Sequence, residues 1–117
     1  MLKDKALASL AAGDLLLERG FVDDAATRYY YAMYRAAVHA LTERGKRPGT
    51  FRSGAVDWDH SMVENNARSL RGRWSDRLLY KEMRELRVEA DYLDVAVRDT
   101  ELRRLLPQVR EFVKELA

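Results

Sequence analysis

The sequence predicts an all-α protein, an up-and-down bundle of four to five helices. Three observations lead there. Apolar residues recur at steps of three and four along most of the chain, the period of one buried helix face. Ala, Leu and Arg dominate, isoleucine is absent and Thr is sparse, a balance that favours helix over strand. The two prolines and six glycines form no hairpin-like series of turns.

The first helix is expected from about Lys3 to Arg19, with Ala6, Leu10, Gly13 and Leu17 facing inward. Gly20 is a natural stop, and Asp23 or Asp24 can cap the next helix. That second helix runs to about Arg44, with Ala26, Tyr30, Met33, Ala37 and Leu41 on one face. At about 1.5 Å per residue it spans roughly 30 Å, the height of a small domain. Gly45-Lys46-Arg47-Pro48-Gly49 ends it, and a loop is expected to about Val56. A shorter helix then starts near Asp57 or Asp59 and ends at Leu70, with Val63, Ala67 and Leu70 inward and Gly72 as the break. Ser75 is a good N-cap for a fourth helix through about Tyr92, whose stripe is Leu79, Met83, Leu86 and Ala90. Asp99 or Thr100 opens the last helix, with Leu102, Leu105, Val109, Phe112 and Leu116 inward. Pro107 falls inside that pattern and is expected to kink it, because it lacks an N–H and crowds the preceding turn.

At 117 residues the chain fits a single domain, 1–117, with one core. Hydrophobic residues at 47% and charged residues at 34% place it among globular rather than disordered chains. The absence of cysteine excludes disulfides and thiolate chemistry and is compatible with a reducing compartment. No stretch approaches the roughly 20 apolar residues of a membrane span. Met1-Leu2-Lys3-Asp4-Lys5 alternates charge and does not read as a signal peptide, so a cytoplasmic location is expected. A net charge of +2 argues against a general polyanion binder, although Arg68, Arg71, Arg73, Arg77, Lys81, Arg84 and Arg87 crowd one stretch.

Several chemistries lack their residues. There is no GxxxxGK[ST] and no GxGxxG. The only histidines, His39 and His60, without any cysteine, argue against a structural zinc site, and no metal or cofactor is expected. Ser53-Gly54 alone does not make a nucleophile elbow.

Two stretches carry information. Tyr29-Tyr30-Tyr31 with Tyr34 places four phenols on one helix; Tyr30 and Tyr34 share a face, while Tyr31 turns about 100° away. They cannot all enter one core, and any buried hydroxyl needs a polar partner. In Arg84-Glu85-Leu86-Arg87-Val88-Glu89-Ala90-Asp91-Tyr92, Arg87 and Asp91 are one turn apart and can pair. Tyr80 and Arg84 extend the same row along the edge of the apolar stripe.

Together these stretches resemble a family. Ala25-Ala26-Thr27-Arg28-Tyr29-Tyr30-Tyr31-Ala32-Met33-Tyr34 is similar to a Ser/Thr-Arg, then Tyr-Tyr-Ala-Met-Phe/Tyr pattern. Leu86-Arg87-Val88-Glu89-Ala90-Asp91-Tyr92 is similar to a later Leu-Arg-x-x-Ala-Asp-Tyr signature. Both occur in small stand-alone prokaryotic HEPN domains, and the resemblance covers nearly the whole chain. It implies a helical bundle that dimerises near the signature arginine. It also implies a nucleotidyltransferase-type partner in a toxin–antitoxin pair, or metal-independent ribonuclease activity. That activity uses Arg, four to six residues, then His: the arginine holds phosphate and the histidine moves protons.

Arg87 matches the arginine, but no histidine comes after it; Asp91 and Tyr92 stand at the corresponding distance, and Arg35 occupies a position where relatives often carry histidine. An ordinary tyrosine, with a pKa of about 10, is a poor base at neutral pH. The expected function is therefore a dimerising module that binds a protein partner, or a nucleotide or RNA ligand, through Arg28, Tyr31, Tyr80, Arg84 and Arg87. The alternative is a ribonuclease using Arg87 with Asp91, Tyr92 or His60, the last reaching the cleft from a partner subunit.

Overall fold

The computed structural model describes residues 1–54 and 56–117. Among them five helices form: α1 Leu2–Glu18, α2 Val22–Glu43, α3 His60–Arg71, α4 Trp74–Tyr92 and α5 Asp99–Leu116. Every helix foreseen from periodicity is present. The α2–α3 loop also holds a two-residue antiparallel ladder, β1 Gly49–Thr50 with β2 Val56–Asp57, where only loop was expected. Ala55, within that expected loop, lies outside the described residues.

α2 is the axis of the bundle, packed by α1, α3, α4 and α5. Enclosure on several sides explains why its neighbouring residues Tyr29 and Tyr30, about 100° apart around the helix, are both fully buried. Tyr31 and Tyr34 are half-buried at the margin. α1 folds back on α2 through Gly20, whose φ of 84° suits a residue without Cβ; the Gly20 and Phe21 amides close on the carbonyls of Leu17 and Leu16. The predicted stripes of α1, α3 and α5 are buried, as are Leu79, Met83 and Leu86 of α4, while Ala90 is partly covered.

Two details depart from the sequence expectation. Phe21, not an aspartate, is the N-cap of α2. Asp23 and Asp24 sit in its first turn, where carboxylates suit the helix dipole, and Asp23 accepts the Val97 amide at 2.8 Å. α4 begins at Trp74 with Arg73 as N-cap, so Ser75 lies inside the helix. The corner before α4 is closed by buried Asp76, which accepts Arg71 Nε and Nη2, both at 2.8 Å. As expected, Pro107 falls inside α5, on its exposed side.

The arginine-rich stretch is not one open basic face. Arg71 pairs with Asp76 and Glu115, Arg73 with Glu111, Arg84 with Glu64 and Arg87 with Asp91. Arg68 lies over the Trp74 ring at 3.8 Å. Of these ion pairs only Arg87–Asp91 lies within one helix; Arg71–Asp76 closes the α3–α4 corner, and the rest link distant parts of the chain. Among the described residues no helix is long and apolar enough to cross a membrane.

Candidate functional site: a tyrosine–arginine frame and its cleft

The two informative stretches meet along the α2–α4 contact. Thr27 and Tyr31 are one turn apart on α2; Arg87 and Asp91 are one turn apart on α4. Thr27 Oγ1 donates to Asp91 Oδ1 at 2.6 Å, Arg87 Nη2 donates to Tyr31 Oη at 3.0 Å, and Arg87 Nε stands 3.1 Å from Asp91 Oδ2. These contacts close a rectangle of four side chains across two helices. The Arg87–Asp91 pair is ionic but poorly aligned, so the buried Nε–H makes no hydrogen bond of good geometry.

Arg87 is also boxed by rings. Its guanidinium carbon lies 5.6 Å from the centre of Tyr30, 5.4 Å from Tyr31 and 5.4 Å from exposed Tyr92. Burial opposes its charge, but the facing phenols and Asp91 more than offset that and hold its pKa above the ordinary value.

His60, the first residue of α3, enters the same box within one chain; no partner subunit is needed to bring it there. Its ring stacks on Tyr34 with centroids 4.3 Å apart and on Tyr30 at 5.7 Å. Asp59 caps the helix by accepting the Ser61 amide at 2.9 Å, and Tyr34 Oη donates to the Trp58 carbonyl at 2.9 Å; both fix the entry of α3. His60 Nδ1 lies 2.6 Å from Tyr30 Oη. Burial, then the nearby Arg87 charge, push the His60 pKa below the ordinary histidine value. Burial first of all raises the pKa of Tyr30, and it lifts Tyr34 to about 12. At neutral pH the phenol therefore keeps its proton and the imidazole is neutral, so the Tyr30–His60 hydrogen bond joins two uncharged groups. Beneath them Tyr80 is fully buried against Tyr30 and Phe112, and its hydroxyl has no hydrogen-bond partner of good geometry.

Outside this frame opens a cleft of about 500 Å³, lined by Leu16 of α1, by Asp24, Thr27, Arg28, Tyr31 and Arg35 of α2, and by Asp91. Arg28 is exposed, whereas Arg35 is held by Ser9, whose Oγ accepts its Nη1 at 2.5 Å. The cleft thus offers two guanidinia, one phenol ring and two carboxylates.

The sequence-predicted residues separate accordingly. Arg28, Tyr31 and Asp91 line the cleft, Arg87 and His60 stand behind it, and Tyr92 flanks Arg87 on the outside. Arg84 is engaged by Glu64 at 2.6 Å, and Tyr80 is in the core. Sequence reasoning passed over Asp24 and the contribution of Arg35 to the cleft. The signal was present: Asp24, Arg28, Tyr31 and Arg35 succeed one another at four, three and four residues, a polar row on one face of an otherwise buried helix.

The fold and this frame define a small all-α module with an arginine–tyrosine cleft beside its central helix. The family model described as HEPN domain matches residues 1–117, so the chain belongs to the HEPN family. Among curated proteins none matches the chain.

Proposed function

We propose that this chain is a ligand-binding HEPN module that takes a nucleotide, free or as part of RNA, in the cleft beside Tyr31. The observation that carries the reading is the set of groups the cleft presents. Arg28 and Arg35 suit a phosphate, the Tyr31 ring offers a stacking face, and Asp24 and Asp91 can accept from sugar hydroxyls or base amines. Arg87 serves this site from behind, by fixing Tyr31 and Asp91. The chain acts as a homodimer in the cytoplasm, paired with a nucleotidyltransferase-type antitoxin; this part rests on the family resemblance. Titration calorimetry with adenosine 5′-monophosphate tests the cleft. Binding that weakens roughly tenfold or more in Arg28→Ala/Arg35→Ala supports it, and no heat of binding in the wild type rejects it. Analytical ultracentrifugation tests self-association.

A second reading, metal-independent RNA cleavage, has one observation in its favour: neutral His60 shares an aromatic box with Arg87. There His60, in the tautomer that donates from Nδ1 to Tyr30 Oη, would take the proton of an RNA 2′-hydroxyl at Nε2 while Arg87 stabilises phosphate charge. RNA incubated with protein in chelator, beside His60→Ala and Arg87→Ala controls, decides it. Cleavage lost in both controls favours the enzyme; no cleavage by the wild type leaves the binding module.

A further inference from the structure

Next to the cleft lies a second hollow of about 380 Å³, lined by Lys5, Ala8, Ser9 and Ala12 of α1 and by Arg28 and Arg35 of α2. Arg28 and Arg35 line both spaces, so the two lie side by side along the α1–α2 seam. The floor of the second hollow on α1 is made of small side chains that leave room for an extended chain.

The cations of this seam differ from those of the arginine-rich stretch. There, carboxylates neutralise most guanidinia; among the described residues Lys5, Arg28 and Arg35 form no salt bridge. Arg35 is also set in place. Ser9 is 3% exposed, on a stripe that is otherwise Ala6, Leu10, Gly13 and Leu17, and its hydroxyl holds the Arg35 guanidinium. A buried hydroxyl spent on aiming one arginine provides a fixed cation rather than a freely solvated one. Arg28 and Arg35 are seven residues apart, about 10 Å along the helix axis, with Tyr31 between them on the same face and the Arg35 guanidinium 5.7 Å from its ring centre. From that spacing two long side chains can converge on one phosphate or each take a separate phosphate of one strand, and cations beside an aromatic ring are the combination that binds single strands.

We infer that this hollow is a second subsite beside the cleft, and that the ligand is a single strand of two or more linked nucleotides. One nucleotide lies in the cleft against Tyr31; the continuing phosphates run past Arg28 and Arg35, over Ala8 and Ala12, to Lys5. The inference rests on the reading of the cleft as a nucleotide site.

Calorimetric titration of the whole protein with adenosine 5′-monophosphate, ATP and tetra-adenylate RNA tests it. Tetra-adenylate should bind roughly tenfold tighter than either mononucleotide, with a salt slope of about −2 for three neutralised phosphates at about 0.7 each. Lys5→Gln should weaken tetra-adenylate roughly three- to tenfold, reduce the slope by about 0.7 and leave the monophosphate unaffected. Lys5 is exposed in the first turn of α1, so the variant keeps its fold, checked by circular dichroism. Equal affinity for all three ligands, or unchanged tetra-adenylate binding in Lys5→Gln, overturns the second subsite while the cleft stands. Absence of binding by all three overturns both.

Discussion

Thr27 Oγ1 donates to Asp91 Oδ1 at 2.6 Å, joining residues 64 positions apart in the chain. With Arg87 on Tyr31 and Arg87 beside Asp91, this bond makes two one-turn spacings on separate helices into a single frame. The two sequence signatures are thus halves of one structure: Thr27-x-x-x-Tyr31 meets Arg87-x-x-x-Asp91. The frame fixes α4 against the central helix and sets one wall of the cleft.

If the frame acts as a unit, its members are energetically coupled. Thr27→Val keeps the shape and removes the hydroxyl, which should cost about 0.5–1.5 kcal/mol and lower Tm by several degrees. In a double-mutant cycle with Asp91→Ala, measured by urea unfolding, the coupling should be at least about 0.5 kcal/mol. Strictly additive losses would show that the hydrogen bond is idle.

Arg87 holds three rings and a carboxylate with a side chain only 17% exposed. Arg87→Ala should destabilise the protein by about 1–3 kcal/mol, through lost ion pairing and lost ring packing. Arg87→Lys should recover little, because an ammonium cannot reach Tyr31 and Asp91 together in the same plane. An Arg87→Ala protein as stable as the wild type would remove the structural role assigned to this residue.

Much of this was legible in the sequence. The helices and their stripes came from a period near 3.6, and the Arg87–Asp91 pair from its spacing of four. Two kinds of feature were not. Helix starts at Phe21 and Arg73 carry no side-chain cap hydrogen bond, so capping chemistry could not mark them. The meeting of His60 with Arg87 depends on how α3 lies against α2, a tertiary fact that no local pattern encodes. Tyr80 shows the same limit: it sits on the helix row that leads to Arg87, yet the ring turns into the core against Phe112.

Gly13 is required by the phenol it faces. A Cβ built there would lie 2.8 Å from Tyr29 Cε1 and 2.9 Å from Cδ1, inside contact distance of a fully buried ring. That ring cannot easily retreat, because Tyr29 Oη donates to Asp14, which also takes both terminal nitrogens of Arg110. Gly13→Ala gains about 1 kcal/mol in helix propensity but forces overpacking worth about 1–3 kcal/mol. The net effect expected in thermal unfolding is a loss of up to about 2 kcal/mol. A raised Tm would mean that Tyr29 is freer than the contacts imply.

The last expectation concerns pH. His60 faces Tyr30, Tyr31, Tyr34 and Arg87, with Asp57 and Asp59 nearby; burial and then Arg87 depress its pKa, against a smaller opposing pull from the two aspartates. In the unfolded chain the group titrates near 6.5, so below that pH the unfolded state binds more proton than the native one. Native stability is therefore full above about pH 6.5 and declines as pH falls towards the depressed native pKa. In the protonated ring both nitrogens are donors, so the Tyr30 hydroxyl can only accept from Nδ1. Unfolding by urea between about pH 7 and pH 5 should show this decline in the wild type, and His60→Gln should flatten it. The remaining histidine, His39, lies elsewhere on α2, so an undiminished slope in His60→Gln would assign the titration to another group and leave the Tyr30–His60 contact without a charge-dependent role.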